Sequence, residues 1–213
     1  MGRNERRRQQ ALGRGRRKHE ARRRKAATPF FRTGSETARL VDLIHGARAF
    51  PIRECLVNES WRGRGLAHIL LARTQPDGKV LFGLYLVDTF CLGLKNTFCN
   101  AGFSLAVYEH GFRLRMLSHE PMAPCPVPLA HEIIYGAIDY AAGLGFRPHP
   151  DFKLSEHILE PREALREKTG VEFGKDGKPF FISGPDDDVG LILRKLRERV
   201  GDGNFHFMIG GPV

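Results

Sequence analysis

Twelve cations stand within the first 27 residues: Arg3, Arg6, Arg7, Arg8, Arg14, Arg16, Arg17, Lys18, Arg22, Arg23, Arg24 and Lys25. Only Glu5 and Glu20 oppose them, so this segment alone accounts for the formal net charge of +10. The rest of the chain holds 22 bases and 22 acids and is balanced. A dense run of cations condenses on a polyanion, mainly through phosphate contacts, with an affinity that falls as salt rises. Arginine outnumbers lysine ten to two here, which suits bidentate phosphate contact and stacking on bases. The segment has no Phe, Trp or Tyr to read bases. Arginine-rich disordered segments commonly order on structured RNA, which makes RNA the expected partner ahead of DNA. A solubilising tail is the competing reading.

Carboxylates supply the second possible chemistry. Asp88 interrupts the apolar run from Leu84 to Phe90. A strand aspartate joined by an acid from a neighbouring helix, such as Glu132 or Asp139, would suit Mg²⁺ and phosphodiester cleavage. The blander expectation is a strand-end aspartate that caps a turn or pairs with an arginine. His149, Asp151 and His157 form a loose cluster beside Pro148 and Pro150, wider than the paired spacing of zinc sites. Asp186 to Asp188 fit the N-terminus of a helix. Cys55, Cys91, Cys99 and Cys125 form no C-x-x-C pair and read as buried free thiols in a reducing cytosol. The phosphate-binding, zinc-protease and serine-hydrolase motifs are absent.

Trp61-Arg62-Gly63-Arg64-Gly65-Leu66-Ala67 resembles the R-x-x-G-x-G/A pyrophosphate loop of the GCN5-related N-acetyltransferase family. Ala106-Val107-Tyr108-Glu109-His110-Gly111-Phe112 is similar to a later element of that family, one residue short. The resemblance implies acetyl-coenzyme A as cofactor, with backbone groups at Gly63, Gly65 and Ala67 holding its pyrophosphate at a helix N-terminus. The chain has only about 35 residues of ordered character before the loop, where that family needs several strands and two helices. A broader resemblance rests on Gly65-Leu-Ala-His-Ile-Leu-Leu-Ala-Arg, Tyr85-Leu-Val-Asp-Thr-Phe-Cys-Leu-Gly-Leu-Lys-Asn, Tyr135-Gly-Ala-Ile-Asp-Tyr-Ala-Ala-Gly-Leu-Gly-Phe, Phe173-Gly-Lys-Asp-Gly-Lys-Pro-Phe-Phe-Ile-Ser-Gly-Pro and Gly201-Asp-Gly-Asn-Phe. These stretches resemble a group of bacterial proteins of no assigned activity. That resemblance implies one intact bacterial domain over most of residues 50–207, a strand around residues 65–73, and no catalytic residues.

The elements that must position these groups follow from periodicity and punctuation. Leu40, Val41, Ile44 and Ala47 give a helical stripe over residues 35–47. Ile52 to Val57 reads as a strand. Ala67 to Thr74 and Lys79 to Phe90 flank Gln75-Pro76-Asp77-Gly78, a hairpin signal. Residues 96–117 fit helix or strand. Pro121, Pro124, Pro126 and Pro128 suggest a rigid linker at 118–128. A helix is expected from Leu129 to Leu144, capped by Gly145, and a short one from Glu160 to Lys168. Val171 to Phe173 and Pro179 to Ile182 flank a second hairpin signal, Lys175-Asp176-Gly177-Lys178. Val189 to Val200 reads as a helix and Asn204 to Ile209 as a strand.

The sum is an α+β domain over residues 28–213, with a largely antiparallel sheet and three or four helices, preceded by a disordered basic arm at 1–27. No stretch approaches the roughly 18 apolar residues of a membrane span, and a cytoplasmic location is expected. The leading expectation is a non-catalytic nucleic-acid-associated protein; the oligomeric state stays open.

Overall fold

Proline at position 76 fixes one backbone angle and Gly78 takes φ 79°, so Gln75-Pro76-Asp77-Gly78 reverses the chain. The turn closes through Gln75 N–H to Lys79 O at 2.8 Å and Gly78 N–H to Gln75 O at 2.9 Å. It joins β2 (Leu66–Thr74) to β3 (Val80–Asp88) in uninterrupted antiparallel register from Leu66↔Asp88 to Thr74↔Val80. The computed structural model of the protein describes residues 34–164 and 169–210. The expected arm at 1–27 lies outside them. The chain divides into two units, Met1–Arg39 and Leu40–Val213. Helix α1 (Gly34–His45) spans that division.

Three further strands flank the hairpin: β1 (Ile52–Asn58), β4 (Gly93–Phe103) and β5 (Met122–Pro124). The five-stranded order is β4-β3-β2-β1-β5, antiparallel throughout. The fold class is therefore α+β. Six α-helices occur among the described residues. Besides α1 they are α2 (Trp61–Arg64), α3 (Leu114–His119), α4 (Val127–Gly143), α5 (Phe152–Ser155) and α6 (Val189–Val200). The helices expected at 35–47, 129–144 and 189–200 correspond to α1, α4 and α6; α2 and α5 are single turns.

Both faces of the sheet are covered, which explains why β2 reads as a nearly continuous apolar run rather than an alternation. Ala67, Ile69 and Leu71 pack with Tyr85, Val87 and Leu94 against Ile133, Ile134 and Ala137 of α4. The intervening Leu70 and Ala72 join Leu56 and Phe82 on the opposite face. There Tyr108 and Phe112 cover Phe82, at ring distances of 5.5 and 4.3 Å. Those two rings lie in a π-helical segment, Val107–Arg113, that runs into α3. Ser104 starts this segment by accepting Tyr108 N–H on its carbonyl at 2.9 Å. The ambiguous residues 96–117 thus divide between strand and helix, each with its own apolar face.

Three expectations are corrected. The proline-rich stretch at 118–128 is not a free linker: Met122–Pro124 pairs with β1, and Val127 already begins α4. Pro124 sits on an edge strand, where a missing N–H is tolerated. Residues 160–164 form no helix, and 165–168 lie outside the described residues. The turn Lys175↔Lys178 forms, but Val171–Phe173 is not a strand. Instead β6 (Phe180–Ile182) pairs in parallel with β7 (His206–Met208). Ile192, Leu193 and Leu196 of α6 bury against Leu144, Phe181 and Phe205.

Candidate functional sites

The proposed polyanion contacts Arg6, Arg7, Arg8, Arg14, Arg16, Arg17, Lys18, Arg22, Arg23, Arg24 and Lys25 lie outside the described residues. The larger unit tells the other half of the story. Several of its bases pair with its own acids: Lys79–Asp77 at 2.6 Å, Lys95–Asp187 at 2.8 Å, Arg113–Glu54 at 2.9 Å and Arg197–Asp202 at 3.1 Å. Arg53 pairs with Glu109 and Arg162 with Asp139. The exposed ones among them add little stability and cancel charge only locally.

The loop at Trp61–Ala67 has a different geometry from a pyrophosphate cradle. Trp61–Arg64 is one helical turn, and Gly65 closes it at φ 69° with its N–H on Trp61 O at 2.8 Å. Strand β2 follows at once, and Ala67 is fully buried in it. The helix that would aim its N-terminus at a pyrophosphate after Gly65 is replaced by a strand. A tight hairpin at 75–78 follows that strand. Tyr108, in the second similar element, is buried and donates to Glu54 Oε1 at 2.6 Å. Gly65 is needed for packing instead: a Cβ there would lie 2.1 Å from the Phe90 ring. Gly65→Ala should therefore cost about 2–4 kcal/mol, from a positive φ plus overpacking. Denaturant unfolding without any ligand checks this; an unchanged midpoint would contradict the packing role.

Asp88 is a turn-builder. Its Oδ1 accepts Phe90 N–H at 2.9 Å and Cys91 N–H at 3.0 Å, and Oδ2 accepts Leu92 N–H at 3.1 Å. Those bonds anchor the tight connection from β3 to β4. Burial pushes the carboxyl up, and the backbone bonds to Leu92, Phe90 and Cys91, together with the Lys95 charge, pull against it. The acids proposed to join it are elsewhere engaged: Glu132 accepts from Thr169, and Asp139 from Arg162. Among the described residues no three His, Cys, Asp or Glu side chains gather for a metal. Asp88→Ala orphans three buried N–H groups and should cost about 3 kcal/mol. Asp88→Asn keeps an acceptor for two of them and should cost roughly a third as much. Thermal unfolding of both variants gives the ranking; equal losses would contradict the capping role.

His149 Nδ1 accepts Asp151 N–H at 3.3 Å but lies 3.8 Å from the Asp151 carboxylate, which is mostly exposed. His157 lies apart from them, edge-on to His45 at 4.6 Å. Burial, then His45, lowers its basicity. It lines a cleft of about 370 Å³ with Arg48, Tyr135, Phe152, Glu156 and Arg162. Arg48 already donates to Leu159 O and Glu156 O, and Arg162 stacks over Tyr135 at 5.4 Å. The cleft's cations are thus occupied by the protein itself.

One constellation is absent from the sequence reading. His68 Nδ1 meets Glu120 Oε2 at 2.5 Å. The other oxygen of Glu120 accepts Asn58 Nδ2 at 2.8 Å and Ser60 Oγ at 3.0 Å. Asn58 also donates to Leu66 O at 3.0 Å and accepts His68 N–H at 2.9 Å. Asn58 is buried, while the imidazole of His68 is about 38 % exposed.

No family model, curated protein or solved structure matches this chain.

A carboxylate on Nδ1 fixes the tautomer and orientation of an imidazole. Nε2 of His68 is thereby left to take or give a proton or a hydrogen bond at the surface. Partial burial of Glu120 works against its charge. Hydrogen bonds from Asn58, His68 and Ser60 outweigh it, and the carboxyl sits below the ordinary range. A lowered native value means the network stabilises the fold above the ordinary carboxylate range. That contribution is lost as pH falls through and below it. Glu120→Gln should flatten this part of the stability–pH curve, measured by urea unfolding between neutral pH and the acid limb; an unchanged curve would contradict the assignment. Only one signal was available in the sequence: a histidine inside the apolar run Leu66–Ala72. Glu120 lies 52 residues away, so no local spacing connects the two.

Proposed function

We propose that this protein binds RNA, alone or in a ribonucleoprotein, through the arginine-rich segment 1–27, with the folded unit as a passenger or positioning module. One observation carries the reading: the whole net charge lies in that segment, while the remaining 22 bases are matched by 22 acids. The ion pairs of the larger unit support it, because they match several of that unit's bases with its own acids. The driving force is counterion release from phosphate, and it needs neither a pocket nor a fixed fold in the arm. RNA is favoured over duplex DNA because single strands and loops offer bases on which guanidinium groups stack.

No helix among the described residues is long and apolar enough to cross a membrane.

Removing residues 2–27 tests the reading. Retention on immobilised structured RNA at low salt should fall at least about a hundredfold, since six or more phosphate contacts disappear. Retention equal to that of the full chain would refute it.

A further inference from the structure

We propose that Cys55 and Cys125 form a reversible disulfide when the protein meets a hydroperoxide, making this pair an oxidation site of the sheet edge. The two residues stand opposite each other, one step beyond the Leu56↔Pro124 pair that joins β1 to β5. Cys125 N–H donates to Cys55 O at 2.9 Å, which fixes the two backbones side by side. Opposed residues of antiparallel strands have Cα atoms roughly 4.5–5.5 Å apart, inside the span that a disulfide accepts. The sulfurs are already in contact at 3.5 Å, with 70 residues between them in sequence. Bond formation needs only a small side-chain rotation.

The two thiols differ in a way that assigns their roles. Cys55 is buried among core side chains, its sulfur in contact with that of Cys125. Cys125 is half-buried at the outer strand, where a small oxidant arrives first. The side-chain contact with Cys55 holds the Cys125 thiol below its ordinary value against the opposing effect of burial. The same contact and burial push Cys55 far up. Cys125 is therefore the attacking sulfur and Cys55 the resolving one.

The chemistry balances. The Cys125 thiolate attacks one peroxide oxygen, the O–O bond breaks, and the leaving oxygen departs as alkoxide or hydroxide and takes up the proton lost by the thiol. Cys125 is then a sulfenic acid. Cys55 sulfur attacks the Cys125 sulfur; the S–O bond breaks, and hydroxide leaves as water with the proton of Cys55. Two thiols lose two electrons and two protons, and one hydroperoxide is reduced to an alcohol, or to water, plus water. The other two cysteines are poorly placed for this. Cys91 is fully buried with its thiol pushed up by burial, and burial raises Cys99 to about 11.

The full-length protein, fully reduced and then exposed to a small excess of hydrogen peroxide under native conditions, gives the test. Intact mass should fall by two hydrogens, and digestion should return one linked pair of peptides containing Cys55 and Cys125. A thiol reductant should restore the original mass. Cys55→Ser should stop at a sulfenic acid on Cys125 that dimedone traps. Cys125→Ser should slow oxidation at least about tenfold, because it removes the low-pKa thiol. Cys99→Ser should leave the rate unchanged and serves as the folding-neutral control. Direct over-oxidation of Cys125 without a linked peptide, a link through Cys91 or Cys99, or no mass change would each overturn the proposal.

Discussion

Replacing Arg73 with methionine is expected to lower the melting temperature by on the order of 10 °C, corresponding to about 3–5 kcal/mol for removing a buried guanidinium that three acceptors meet, in a unit of this size. Arg73 is 2 % exposed, among the largest fully buried side chains of the protein. Its Nε donates to Ile158 O at 2.8 Å, one terminal nitrogen to Phe50 O at 2.8 Å, and the other to Glu160 Oε1 at 2.6 Å. The guanidinium thus ties the end of β2 to two separate loops. A buried charge is tolerable only when its donors are met, and here three acceptors meet them. Methionine preserves much of the volume but leaves two carbonyls and a carboxylate without their donor, and the cost comes mainly from those orphaned acceptors. Differential scanning calorimetry checks the shift. A change below about 2 °C would mean that water replaces the guanidinium at little cost, contrary to the burial.

The second large effect concerns the arm. Changing Arg6, Arg7, Arg8, Arg22, Arg23 and Arg24 together to glutamine removes six of its twelve bases. On single-stranded RNA each lost phosphate contact lowers the slope of log affinity against log salt by about 0.7, so the slope should fall by about 4. Between 50 and 200 mM salt, the drop in affinity should shrink by two to three orders of magnitude relative to the parent. Fluorescence anisotropy across a salt series provides both numbers. Lysine replacements at the same six positions separate charge from geometry. They should keep the slope and lose part of the affinity, because a lysine ammonium cannot make the bidentate or stacked contacts of a guanidinium. A salt slope unaltered by the six glutamines would place the phosphate contacts elsewhere.

Local signals in the chain anticipated the fold wherever they agreed with tertiary packing. Gln75-Pro76-Asp77-Gly78 set the central hairpin, and the helix expected over Val189–Val200 matched α6 residue for residue. Gly145, at φ 85°, ended α4 with Phe146 N–H bonded back to Ala141 O at 2.9 Å. The misreadings came from contacts remote in sequence. Met122–Pro124 looks like linker because its prolines break regular structure, yet one edge of β1 was left to be paired. Phe180–Ile182 chose a parallel partner some 26 residues away over its hairpin neighbour. The site chemistry was less legible still. Asp88 stood out as a polar interruption, but its role as a cap depends on the following turn. The His68–Glu120 contact and the Cys55–Cys125 contact join residues 52 and 70 positions apart, and neither leaves a spacing pattern.

The central claim is that the arm, and not the folded unit, grips the polyanion. Titrating one fluorescent RNA with the full chain, with a synthetic peptide of residues 1–27, and with residues 28–213 alone compares the three directly. The account predicts that the peptide reproduces the salt slope of the full chain, while residues 28–213 bind at least about a hundredfold more weakly with a slope near zero. Tight binding by residues 28–213, with the full chain's salt slope, would contradict it.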